Sequence, residues 1–244
     1  MILTIAGCGD AFGTEGQFNT CYHVEASRGN FLIDCGASSL VALNKLKIPV
    51  NEIGTIFISH LHGDHFGGLP FFLLHAWYAT GRTEDLTLAG PPGLQKRVEQ
   101  ALDMFFPQST SEAPQFALRY VELPPNTKSH VNGIDVETFA VCHFSGAPSF
   151  ALRIEVDGKT VSFSGDTSWT DKLLEASAEA DLHLQECYNF ETVFPYHSEY
   201  VTLEKELPAS TAKRILLTHF GYEMFANLDK VTWEYGRDGM VIEL

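Results

Sequence analysis

Four side chains able to hold a metal crowd into six positions of the segment ISHLHGDHFGGLP (58–70): His60, His62, Asp64 and His65. Imidazole and carboxylate are common ligands for zinc, iron and manganese. Residues two apart in an extended turn converge, so His60 and His62 can share one ion while Asp64 and His65 face a second. Four ligands do not complete two metal sites, so further donors must arrive from elsewhere in the chain. Three stand in a suitable context: His143 closes FAVCH, Asp166 ends the run SFSGD, and His219 closes ILLTH. Each follows an apolar, strand-like run, where a side chain projects from a rigid scaffold into a shared cleft. His23, His75, His130 and His183 lack that context and read as structural.

The elements that must position these donors are short and strand-rich. ILTIAG (2–7), CYHVEA (21–26), NFLIDCG (30–36) and TIFISH (55–60) each carry β-branched or aromatic residues and stop at Gly, Asn or a polar cluster. FALRIEVDGKTVSFSGD (150–166) reads as a hairpin, with Asp157-Gly158 accepting the positive φ angles of a tight primed turn. DLHLQE (181–186), RILLTH (214–219) and the end of YGRDGMVIEL supply further strands. Helices are expected in FGGLPFFLLHAWYAT, in PPGLQKRVEQALDMFF (91–106) and in SWTDKLLEASAEA (168–180), the last capped by Ser or Thr. Pro208 should break or kink TLEKELPASTAKR. The apolar run PFFLLHAWY is read as a buried helix or a dimer face in preference to a substrate pocket. Many strands with helices spread among them predict two packed sheets with helices outside, in a single domain spanning residues 1–244.

Composition narrows the function. With 45% hydrophobic residues the 244-residue chain can bury a full core. No apolar run reaches the ~20 residues that span a bilayer, so no membrane partner is expected. MILTIAGCGD has no basic stretch before its apolar residues, which argues against a signal peptide and for a cytoplasmic location. Five cysteines without a CxxC pair fit free thiols in a reducing compartment. A formal charge of −15, from 16 basic and 31 acidic residues, disfavours long nucleic acid, whose phosphates call for Lys and Arg. A small-molecule substrate fits better, and a homodimer is compatible with the sequence.

AGCGDAFGT, FLIDCG, FISHLHGDHFGGLP, FSGDT, LLTHF and a late DGM follow one another along the chain. In that order they resemble the metallo-β-lactamase superfamily, within it the ribonuclease Z-like branch. The resemblance covers most of the chain and implies a four-layer αββα sandwich (α/β, or α+β): two mixed sheets flanked by helices, with a two-metal site at one edge. Carried over by motif, one ion takes His60, His62 and His143, the other takes Asp64, His65 and His219, and Asp166 bridges them. Asp34 then supports the site without being a ligand. The branch also pairs a Glu at a strand end with a His-Ser-Thr segment. Here HLQECYNF offers Glu186 and YHSEY offers His197, with Glu199 where the Thr would stand. The resemblance makes His197 a proton donor or phosphate contact oriented by Glu186.

The departures are informative. Relatives that process tRNA carry a long basic arm between the positions matched by His143 and Asp166. This interval has room only for the hairpin, so the tRNA grip is absent. A bridging carboxylate at Asp166 differs from the β-lactamases and suits a hydroxide held between two divalent ions, zinc first, with manganese or iron as alternatives. The expected activity is a dinuclear metal-dependent hydrolase, most simply a phosphodiesterase on a small substrate, with Asp64 accepting the water proton. A lactonase, thioesterase or arylsulfatase on the same ligands, and an iron-dependent oxidoreductase, are the competing readings.

Overall fold

The computed structural model describes residues 1–109 and 114–244. Its first half runs β1 (Ile2–Gly7), β2 (Cys21–Glu25), β3 (Asn30–Ile33), β4 (Ile53–Phe57), β5 (Leu86–Gly90) and β6 (Leu118–Glu122). The second half runs β7 (Lys128–Val131), β8 (Ile134–Ala140), β9 (Phe150–Val156), β10 (Lys159–Phe163), β11 (Leu182–Glu186) and β12 (Ile215–Thr218). A last strand, β13 (Val241–Glu243), returns to pair with β1. The sheets order as β13-β1-β2-β3-β4-β5-β6 and β12-β11-β10-β9-β8-β7. Each begins as an antiparallel meander and continues as parallel strands. Both are therefore mixed.

Alternation along the strands sorts the apolar residues into layers. Phe31, Ile33 and Phe57 from one sheet meet Leu152, Ile154 and Phe163 from the other, forming the core between the sheets. Leu32, Ile56 and Leu88 point the opposite way. They pack under α1 (Ser39–Leu46), α3 (Leu69–Leu74) and α4 (Leu94–Phe105), through Leu43, Phe72 and Val98. On the far side, α5 (Lys172–Ser177) buries Leu173 and Ala176 against Phe139 and Ala151. The helix α6 (Tyr200–Glu206) covers Leu217 with Leu203. The four-layer αββα sandwich follows directly.

Asp157 and Gly158 take φ of 56° and 69° and close the expected hairpin. Pro208 ends α6, and the chain continues in a short 3-10 turn. PFFLLHAWY is helical with one buried face: Pro70, Phe72, Leu73 and Ala76 are buried, while Phe71 and Tyr78 are exposed. Three details differ from the sequence reading. The strands of NFLIDCG and TIFISH stop at Ile33 and Phe57, because the chain then turns to present side chains at the sheet's end. The expected Ser or Thr cap of α5 is instead Asp171, and it makes no side-chain capping bond. Helix α1, strands β5, β6 and β7, and the helix α7 (Tyr222–Ala226) were not anticipated.

One buried cation pins the end of the first sheet opposite the functional loops. Arg82 is 2% exposed, and its guanidinium donates to the carbonyls of Val50, Ile53, Glu84 and Asp85 at 2.6–3.0 Å. It thereby ties the start of β4 to the start of β5. Arg82→Ala leaves these carbonyls short of donors and is expected to lower unfolding free energy by about 2–4 kcal/mol in urea titrations. A loss below about 0.5 kcal/mol, ordinary for a surface position, would contradict that role.

Candidate metal centre

The sequence-selected donors come from strand ends of both sheets that face one cleft. His60 and His62 follow β4. Asp64 and His65 lie on the short α2 (Gly63–Phe66). His143 lies beyond β8, Asp166 beyond β10, Glu186 ends β11, and His219 follows β12. Carboxyl ends of parallel strands are the usual place for a ligand crevice in such sheets. Two glycines make the crowding possible. A Cβ on Gly36 would sit 2.0 Å from the Asp64 carbonyl oxygen, and one on Gly68 would sit 2.2 Å from that of Gly36. The glycines of DCG and FGGLP therefore let the end of β3 press against α2.

His60, His62 and His143 form one grouping of potential ligand atoms, and Asp64, His65, Asp166 and His219 form another. Asp166 also groups with His143 and His197. Its Oδ2 lies 3.2 Å from His65 Nε2, 3.4 Å from His219 Nε2 and 3.8 Å from His60 Nε2, at the junction of the two sets. His143 Nε2 and His62 Nδ1 are 2.9 Å apart. Asp64 Oδ2 is 3.3 Å from His65 Nε2 and 3.8 Å from His219 Nε2.

The supports fix which nitrogen of each ring faces the centre. The Nδ1–H of His65 donates to Asp34 Oδ2 at 2.6 Å. The Nδ1–H of His60 donates to Ser59 Oγ at 3.1 Å, and that hydroxyl donates to Asp34 Oδ2 at 2.7 Å. His143 donates from Nδ1 to the Tyr196 carbonyl at 2.9 Å. In all three rings Nε2 is left toward the cleft, the arrangement that outer partners impose on metal-ligating imidazoles. Asp34, Tyr196 and His219 adopt positive φ of 59°, 67° and 65°, a conformation that Asp and His accept more readily than most residues and that bulkier Tyr196 rarely takes.

The chemistry of the pocket fits cations. His60 Nε2, His65 Nε2 and Asp166 Oδ1 are buried without any hydrogen-bond partner. Such groups are costly to bury unpaired. Burial holds the imidazolium forms of His60 and His62 down and lowers His143 to about 4, so these rings are neutral, the form that binds metal. Burial works against ionised Asp166 too, yet His219 and His65 hold its carboxyl well below the usual range.

Beside this cluster, His197 donates from Nδ1 to Glu186 Oε1 at 2.5 Å. Glu186 is buried, and its Oε2 accepts the backbone N–H groups of Thr167 and Ser198. The His197 ring centroid is 5.0 Å from His143 and 6.0 Å from His219. Glu199 holds the N-cap position just before α6, and its carboxylate accepts from Thr202 Oγ1. His23, His75, His130 and His183 all lie outside the cluster. His183 is tied to Ser162 and Gln185, and His130 to Asp135. The Tyr196 carbonyl is a support that sequence reading missed, because no residue type marks a backbone acceptor.

Strand order, layers and the succession of motifs define a metallo-β-lactamase-fold protein of the ribonuclease Z-like branch. The family model described as Anti-Pycsar protein Apyc1 matches residues 1–235. The chain belongs to that family. Ribonuclease Z of Staphylococcus epidermidis is 33% identical over 129 residues, which cover 53% of this chain and 40% of that relative. The chain thus matches less than half of that enzyme's length. Two solved structures superpose on nearly the whole chain. The short form of human tRNase Z has a TM-score of 0.80 at 23% identity, covering 100% of this chain and 99% of the other. The metallo-β-lactamase fold protein YhfI from Bacillus subtilis has a TM-score of 0.78 at 20% identity, covering 99% of each. At those identities the likeness is one of fold.

Burial alone would lower the pKa of His197, but the Glu186 hydrogen bond and charge, aided by Asp166 and Asp64, lift it to about 9. In metal-free protein its imidazole resonance should titrate near that value. Glu186→Gln removes the principal cause and should move the midpoint down, toward or below the ordinary imidazole range. An unchanged NMR titration in that variant would show that Glu186 does not govern the ring.

Proposed function

We propose that this single-domain chain is a metal-dependent hydrolase that uses two divalent cations, zinc in the first instance, to cleave small phosphodiesters. The observation that carries the reading is the convergence of buried, partnerless His60 Nε2, His65 Nε2 and Asp166 Oδ1 in one cleft. His60, His62 and His143 would hold one cation; Asp64, His65 and His219 would hold the other, with Asp166 between them. Bound there, the pair supplies Lewis acidity for a substrate oxygen and lowers the pKa of water toward neutrality.

The chain's own groups supply the remainder. Asp34 and Ser59 keep the Nδ1 protons of His65 and His60 on the outer side, so both rings present a lone pair inward. Asp64, between His65 and His219, is placed to accept a proton from the attacking water. His197, held by Glu186, presents its other nitrogen to the cleft and carries a proton for the departing oxygen. A small substrate fits the interval between His143 and Asp166, which holds the β9–β10 hairpin and no inserted arm, and it fits the net charge of −15.

Metal-loaded protein should carry two zinc or manganese ions per chain and hydrolyse bis(p-nitrophenyl) phosphate faster than an acyl lactone or an aryl sulfate. Asp166→Ala or His62→Ala should reduce turnover by more than about a hundredfold, beyond what loss of an outer partner costs. Full turnover by metal-stripped protein would refute the reading. Preference for the lactone or the sulfate would move the same centre to that substrate class. Asp34→Ala should weaken metal affinity by about 10–100-fold in chelator competition, with little change in far-UV circular dichroism.

A further inference from the structure

Tyr188 stands two residues past Glu186, where β11 runs out into the cleft. Its backbone is clamped between the segments that carry His197 and His219. Its N–H donates to the Ser198 carbonyl at 2.9 Å, and its carbonyl accepts from Gly221 N–H at 2.8 Å. The ring is held equally firmly. A Cβ on Gly221 would lie 3.0 Å from Tyr188 Cε2 and 3.2 Å from Cζ, so the bare backbone of Gly221 backs the phenol edge. On its other sides the ring meets His197 at 5.0 Å, Phe194 at 5.1 Å and His219 at 6.3 Å between centroids.

The hydroxyl of this fixed ring makes no hydrogen bond to the protein among the described residues. By contrast Tyr22 bonds Thr218, Tyr200 pairs with Thr232, and Tyr78 bonds the Ser109 carbonyl. The Tyr188 hydroxyl is not among the buried atoms left without a partner, so it faces solvent and is free to meet a ligand. A rigid, unpaired donor on the wall beside His197 is what an anionic substrate oxygen would need.

We propose that Tyr188 is a substrate-contacting residue whose hydroxyl donates a hydrogen bond to a phosphoryl oxygen held beside His197. This rests on the hydrolase reading above. The test compares metal-loaded wild type with Tyr188→Phe, using inorganic phosphate as the probe in titration calorimetry and bis(p-nitrophenyl) phosphate as substrate. The variant should bind phosphate about tenfold or more weakly, as loss of a hydrogen bond to a charged group requires. Its metal content and unfolding midpoint should match the wild type. Equal phosphate affinity in the two proteins overturns the assignment. So does a weakened affinity that comes with lost metal or a lowered midpoint, since the phenol would then serve the fold. A wild type that loads metal yet neither binds phosphate nor cleaves the diester defeats the hydrolase reading, and this assignment with it; the wild-type measurements alone distinguish that case.

Discussion

Burial of acidic and imidazole side chains at one point, with their inward atoms unpaired, is the constraint that organises this molecule. Transfer of a carboxylate out of water is costly unless a counter-charge meets it. Asp166 is 2% exposed and has one oxygen without any partner, while His60 and His65 are fully buried with Nε2 free. In the absence of cations the fold must bear this desolvation cost, which His219 and His65 offset at Asp166; bound cations would relieve it further. The same feature that weakens the bare protein is the one that would make it bind metal.

The surrounding architecture is built to hold that unfavourable arrangement. Donors arrive from β4 in one sheet and from β8, β10 and β12 in the other, so the apolar core between the sheets fixes their spacing. Close approach at Gly36 and Gly68 draws the end of β3 onto α2, which puts Asp34 against His65. His219 accepts a left-handed backbone because its N–H is held by the Cys8 carbonyl at 2.7 Å. The loop with Tyr196 is bound to the centre by one carbonyl on His143, and the next residue is His197. The orientation of His143 and the His197–Glu186 pair are therefore mechanically linked.

The site was more legible in the sequence than the fold that carries it. The spacing of His60, His62, Asp64 and His65 is dense enough to announce itself, and His143, Asp166 and His219 each end an apolar run. The hairpin at Asp157-Gly158 was readable because that dipeptide suits positive φ. Strands β5, β6 and β7 were not anticipated: β6 and β7 are half-exposed and mix charge with apolar residues, so their alternation is weak. The cap of α5 was misplaced by three residues or fewer because Ser168, Thr170 and Asp171 all suit the position and tertiary packing chooses among them. Backbone supports such as the Tyr196 carbonyl, and an unpaired hydroxyl such as that of Tyr188, depend on where chains cross in space. No local pattern encodes either.

The chain belongs to the Apyc1 family and shows partial likeness to ribonuclease Z. The central claim is that two cations sit on either side of Asp166. Crystals grown with zinc or manganese and measured at the metal's absorption edge test it most directly. Two anomalous peaks about 3.5–4 Å apart are expected, one against His60, His62 and His143 and the other against Asp64, His65 and His219. A single peak, or peaks remote from Asp166, would contradict it.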